Sequence, residues 1–404
     1  MRTLLHAAAA LIVLVADGLL GASRSHEDPA RAPIIRFVVK HPWFTAAGLG
    51  AVVTIGAALV VVSGVMPIKA SSGHWPITAR LLDFAKLRSV ATHSLGIQAP
   101  PLDDEALVLR GAAHYESGCA SCHGKPGAGV PPVMAAMTPE PPELKAGLSR
   151  YTSEQLFSIV KHGIKFTGMP AWPAQGRDDE VWAVVSFLRR MPTLDAAGYQ
   201  RLAFGEPGDG PETATLGPSN GELPPPRAVR DTCWRCHGVD GTGRGPGAFP
   251  SLAGQRSAYL YASLRAFANR TRFSGIMNGI AANLSDGTMR EVAAYYEGLS
   301  PHEATLAGES AAIGRGATIA TRGIPDRDIP ACAECHGPSE LPKNPAYPRL
   351  SGQHVRYLRS QLELLKERRR GGTPHVNLMH IFVDRLNAEA ITDVTLYFAT
   401  LPRE

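Results

Sequence analysis

Apolar residues recur at helical spacing along most of the chain, and loops rich in Gly and Pro separate these stretches, a pattern that predicts short helices rather than strands. One stretch departs from it. Residues 44–66 carry no charge, and 23 helical residues at 1.5 Å each reach across the roughly 30 Å hydrocarbon layer of a bilayer. This predicts a transmembrane helix. Residues 3–20 form a second apolar run, with Arg2 before it and Gly21, Ala22 and Ser23 after it. It reads as a first span, a signal-like stretch or an upstream extension, and His6 and Asp17 within it are unfavourable in lipid. Beyond the span, Ile77, Leu81, Leu82, Phe84, Leu87 and Val90 stand among Arg80, Lys86 and Arg88. That pattern suits a helix lying at the membrane surface and equally an amphipathic helix packed on a neighbour.

The rest repeats one plan three times, the strongest organisational signal in the sequence. Each unit holds a Cys-x-x-Cys-His motif, a Gly/Pro-rich loop, a helical stretch, a Met 40 to 46 residues past the motif His, and a last helix with paired aromatics. The expected organisation is an amino-terminal segment (1–43), the transmembrane helix (44–66), a membrane-proximal linker (67–103), a first domain (104–198), a linker (199–225), a second domain (226–300) and a third (301–404). Residues 205–226 hold five Gly and six Pro, which resists helix and sheet alike. In the first domain a helix over 105–117 carries Gly111, where a second helix can approach closely. Its closing helix spans 178–190 and begins with acidic residues that suit a helix amino terminus. The third domain repeats this with Gly316. In the second, only 227–232 precede the motif, so the first helix is shortened or missing and the site behind it is exposed or covered by a neighbour.

All six cysteines lie in the three motifs, Cys119-Ala-Ser-Cys122-His123, Cys233-Trp-Arg-Cys236-His237 and Cys332-Ala-Glu-Cys335-His336, so none is left for a disulfide. This is the haem c attachment pattern. Two thiols three residues apart on one helical turn reach the two vinyl groups of a haem, and the next residue, His, comes up beneath the iron. A redox dithiol or half of a zinc site would use similar spacing, but zinc needs a further ligand pair and would not require His in the same place three times. A formal net charge of +5, with no basic run interleaved with aromatics, argues against nucleic acid. Arg24, Arg31, Arg36 and Lys40 precede the span and place that flank in the cytoplasm. The motifs then fall on the periplasmic side, where covalent haem attachment occurs in bacteria.

At these motifs the chain resembles the class I cytochrome c family over about 300 residues. Thr167-Gly168-Met169-Pro170-Ala171-Trp172 is similar to the axial-methionine loop of many bacterial members. Pro250-Ser-Leu252-Ala-Gly254-Gln255 matches Pro348-Arg-Leu350-Ser-Gly352-Gln353, and Met277 and Met379 each stand seven residues before a Leu (Leu284, Leu386). The second and third domains thus look like the two halves of the dihaem cytochrome c4 group, and the whole resembles cytochrome c subunits of membrane-bound respiratory dehydrogenases and oxidases. The resemblance implies an all-α chain with three cytochrome c-like helical domains and three covalently bound haem c groups. It also implies iron ligation by His123 with Met169, His237 with Met277, and His336 with Met379. Met134, Met137 and Met289 read as core fillers, and His162, His375 and His380 remain competing ligands. The motif histidines are expected to pass their other ring N–H to a backbone carbonyl near Pro132, Pro250 or Pro348.

A thioether favours ferrous iron and leaves no open coordination position, so such sites carry electrons. The expected role is single-electron transfer between a respiratory donor, either a dehydrogenase or a quinone-linked complex, and a terminal acceptor, either a cytochrome c oxidase or a soluble cytochrome c. A haem enzyme such as a peroxidase or a thiosulfate-oxidising cytochrome is the alternative, and needs one iron without Met. A haem-based sensor would call for a cytoplasmic output domain, where only about 40 residues are available.

Overall fold

The structure, a computed structural model, describes residues 42–65, 69–206, 209–211, 224–245, 247–300 and 310–402. The apolar run 3–20, the basic flank 24–40 and much of the linker lie outside the described residues. Two compact units divide the chain, 1–73 and 74–404. No strand occurs among the described residues, so the chain is all-α.

In the first unit, α1 (Pro42–Val62) is long and apolar enough to cross a membrane. Its Val52, Val53, Ile55, Leu59 and Val61 are exposed all round the helix, unlike a soluble amphipathic helix with one apolar stripe.

The second unit opens with α2 (Pro76–His93). Three helical groups follow. The first comprises α3 (Glu105–Gly118), α4 (Ser153–His162), α5 (Asp178–Arg190) and α6 (Ala196–Phe204). Asp104 caps α3 by accepting from Ala106 N and Leu107 N, and Thr152 with Gln155 forms a reciprocal capping box on α4. Val108, Ala112 and Tyr115 of α3 pack on Val184, Phe187 and Leu188 of α5 and on Tyr199 of α6. Helix α6 continues six residues into the stretch assigned to the linker, because its apolar face completes this core.

The second group has α7 (Ser257–Ala268), α8 (Met277–Ala282) and α9 (Asp286–Gly298). The third has α10 (Ser310–Arg322), α11 (Val355–Lys366), α12 (Val376–Asp384) and α13 (Ala388–Thr400). As expected, Gly111 lets α3 approach α5: a Cβ there would lie 1.8 Å from the Ala183 carbonyl oxygen. Gly316 does the same for α10 and α13, at 2.1 Å from the Asp393 carbonyl oxygen. The second group has only a short turn, Val229–Cys233, before its motif. The first group covers that motif: Leu109 packs with Ala248, Phe249 and Cys236, and Arg244 Nη2 donates to the Leu202 carbonyl at 2.6 Å.

Candidate haem-binding sites

Each motif forms one helical turn, Ala120–His123, Trp234–His237 and Ala333–His336, with the first Cys just before it. The turn brings Cys, Cys and His to one side. In all three, the His Nδ1 faces a proline carbonyl: Pro142 at 3.1 Å from His123, Pro250 at 3.1 Å from His237, and Pro348 at 3.0 Å from His336. A carbonyl only accepts, so Nδ1 carries the proton and Nε2 keeps the lone pair a metal needs. Burial lowers the pKa of His237 and His336, which favours the neutral ring. The expectation for Pro250 and Pro348 is met. For the first site Pro142 takes the place of Pro132, because the chain there runs 19 residues between His and carbonyl against 13 and 12 in the others.

Burial pushes the Cys119 thiol up to about 12 and those of Cys233, Cys236 and Cys332 to about 11. Among the described residues no three His, Cys, Asp or Glu side chains converge as a metal cluster, and no disulfide forms.

The methionines occupy three local settings. Met169 lies in a tight loop, its N–H donating to Thr167 Oγ1 at 3.1 Å and its carbonyl accepting from Ile164 N at 3.2 Å. Met277 begins α8, its N–H donating to Ser274 Oγ at 3.2 Å. Met379 sits within α12 and lines one apolar cleft together with Cys332, Cys335 and His336. His375 lines the same cleft, whereas His380 Nε2 is 3.0 Å from the Arg370 carbonyl and His162 is exposed. Met289 is buried in its helix as expected, but Met134 and Met137 are not simple core fillers. Met134 Sδ lies 3.7 Å from Cys122 Sγ, and a Cβ at Gly168 would lie 2.4 Å from the Met137 methyl. Both therefore sit beside the first site. Sequence spacing had no means of showing this.

The cleft at the third motif lies between walls of Leu350, Leu358, Leu362, Leu365 and Val383. Arg370 lines it too, with a buried Nε that has no hydrogen-bond partner and Nη2 donating to Tyr259 OH at 2.8 Å. Arg272, also buried, donates to Ser263, Tyr357 and Gln361. Neither guanidinium has a carboxylate partner among the described residues. Burial works to raise the Tyr259 hydroxyl, yet these two cations outweigh it and pull it below its ordinary value. An apolar slot with a cationic end suits a flat macrocycle bearing carboxylates, so the residues at the third motif fit haem c.

The second and third sites are cross-linked by a near-symmetric pair of glutamines. Gln255 Nε2 donates to the Arg349 carbonyl and its Oε1 accepts from Arg349 N, each at 2.9 Å. Gln353 bonds Ser251 in the same two ways, at 2.8 and 3.1 Å. Arg349 and Ser251 directly follow the prolines that hold His336 and His237, so each motif histidine is one peptide away from the other half. Gly254 N to Tyr296 O and Gly352 N to Phe398 O, both 2.8 Å, repeat the correspondence.

Residues 106–188 match the family described as cytochrome c oxidase, cbb3-type, subunit III, and residues 227–305 match the cytochrome c family. A thiosulfate dehydrogenase electron acceptor from Stutzerimonas stutzeri (strain A1501) is 36% identical over 194 residues, covering 48% of this chain and 86% of that protein. Cytochrome c4 from Pseudomonas aeruginosa is 31% identical over 180 residues, covering 43% of this chain and 86% of that protein. A solved cytochrome c4 from Acidithiobacillus ferrooxidans is 30% identical, covers 42% of this chain and 98% of its own, and has a TM-score of 0.37. A cytochrome c4 that is 31% identical and matched over 86% of its own length shows that this chain belongs to the c-type cytochrome family.

Proposed function

We propose that the chain is a membrane-anchored, three-haem electron carrier on the periplasmic face of a bacterial cytoplasmic membrane. The observation that carries this reading is the threefold motif turn whose histidine is fixed by a proline carbonyl with Nε2 left free. When bound, haem c supplies a one-electron iron couple at each site. Cys119 with Cys122, Cys233 with Cys236, and Cys332 with Cys335 hold the groups covalently. His123 with Met169, His237 with Met277, and His336 with Met379 would ligate the irons, an imidazole and thioether set that would leave no place for substrate or water and would favour the ferrous state. The three helical groups correspond on this reading to domains 104–198, 226–300 and 301–404.

Helix α1 supplies the anchor. Helix α2 supports it, because Ile77, Leu81 and Phe84 form one exposed apolar stripe beside Arg80 and Arg88, while Asp83 on another side pairs with Arg150. Donor and acceptor are redox proteins: a respiratory dehydrogenase or quinone-linked complex on one side, a cytochrome c oxidase or soluble cytochrome c on the other. The relative named as an electron acceptor of thiosulfate dehydrogenase makes a sulfur-compound dehydrogenase a fitting donor. The second reading is a haem enzyme, and what favours it is that His375 lines the third cleft beside Met379. Expressed with haem-attachment machinery, the full chain is expected in the carbonate-resistant membrane fraction. Protease added to spheroplasts should degrade its haem-bearing part. Recovery in the soluble fraction, or protection from protease, contradicts the anchored orientation.

A further inference from the structure

Glu180, in the first turn of α5, is 3% exposed, and its carboxylate takes donors from two different methionine loops. Trp172, three residues past Met169, donates its Nε1 to Oε2 at 3.1 Å. The Gly275 N–H, two residues before Met277, donates to the same oxygen at 2.7 Å, and Ser274 Oγ donates to Oε1 at 2.7 Å. Ser274 Oγ in turn accepts from the backbone N–H of Met277. One carboxylate therefore joins the Met169 loop to the backbone of Met277.

The two loops also touch. A Cβ at Gly275 would lie 2.3 Å from the Trp172 indole, so the ring rests directly on the peptide backbone and only glycine fits beneath it. Arg177 closes the other side: it grips Asp179 with two bonds, at 2.8 and 2.9 Å, donates to the Phe273 carbonyl at 2.8 Å, and pairs with Glu180 at 3.0 Å. A buried carboxylate is unfavourable unless donors satisfy it, and an apolar side chain of similar volume would give comparable stability. What an apolar residue could not do is fix the register of one loop against the other.

We propose that Glu180 is the positioning residue of an electron path between the first and second haem sites, running from the Met169 loop through Trp172 onto the Gly275–Met277 backbone. The inference rests on Met169 and Met277 being the axial ligands. With haem bound, one electron would pass between the iron held by His123 and the iron held by His237, one being oxidised as the other is reduced; no bond would form or break and no proton would move. Glu180 also places a negative charge beside both loops, which favours the oxidised, more positive state at both irons.

The test uses the full chain in detergent, loaded with haem. Haem content and the long-wavelength methionine–iron band of the wild type are read first; if that band is missing, the ligand reading fails, whatever Glu180 does. With it present, Glu180→Gln is expected to raise the first two potentials together, leave the third in place, and slow exchange between the first two haems about tenfold or more. Exchange between the second and third should keep its wild-type rate. Trp172→Leu keeps the carboxylate and is expected to slow the same exchange. It also decides the matter should Glu180→Gln fail to fold. Wild-type exchange in these variants, or an equal change at all three haems, overturns the proposal.

Discussion

A proton on Nδ1 rather than Nε2 is what separates a motif histidine that can bind iron from one that cannot, and a single proline carbonyl sets it at each site. A contrasting histidine is His114 of α3. It is buried, its Nδ1 has no partner among the described residues, and burial together with Arg110 and Arg177 lowers its pKa to about 3. Between that value and the unfolded 6.5 the unfolded chain binds a proton that the folded chain refuses, so stability falls as pH drops through this window. The loss is about 2 kcal/mol at pH 5. Chemical denaturation at pH 7 and pH 5 should show this difference in the wild type and a much smaller one in His114→Asn. Equal pH dependence in the two proteins contradicts the buried, neutral His114. The shared turn of the motif cysteines and histidines was legible in the sequence because one Cys-x-x-Cys-His spacing recurs at all three. The choice of Pro142 over Pro132, and the places of Met134 and Met137, depend on how a 19-residue connection folds, which spacing alone does not encode.

At the scale of elements, α5 covers 178–190 as expected and opens on the acidic turn that suits a helix amino terminus, and the two glycines mark the helix crossings. Replacing Gly111 with Ala drives a methyl into the Ala183 carbonyl oxygen. Overpacking of that kind costs about 3 kcal/mol, and a thermal melt of the Gly111→Ala variant should show it as a clear fall in midpoint. An unchanged midpoint would mean that α3 and α5 do not cross at this residue. The missing first helix of the second group was visible as a gap before Cys233. What covers the gap was not, because Leu109 and Leu202 are contributed by helices more than 30 positions earlier in the chain, and the sequence pattern reports faces rather than partners.

Across the whole molecule, the three sites are joined by two different kinds of contact. The second and third meet through matched amide bonds from Gln255 and Gln353, a pairing hinted at by the repeated Pro-x-Leu-x-Gly-Gln sequence. The first meets the second through the buried Glu180 cluster, which no repeat announces. Electron carriage by this chain requires three covalent haems, each with its iron ligated by protein on both sides. Its most direct test is a pyridine haemochrome assay on the purified full chain, followed by a spectrum of the reduced protein under carbon monoxide. Three haems per chain and a spectrum that barely responds to the gas are predicted. Fewer haems, or a large carbon monoxide shift from an open iron, would contradict it.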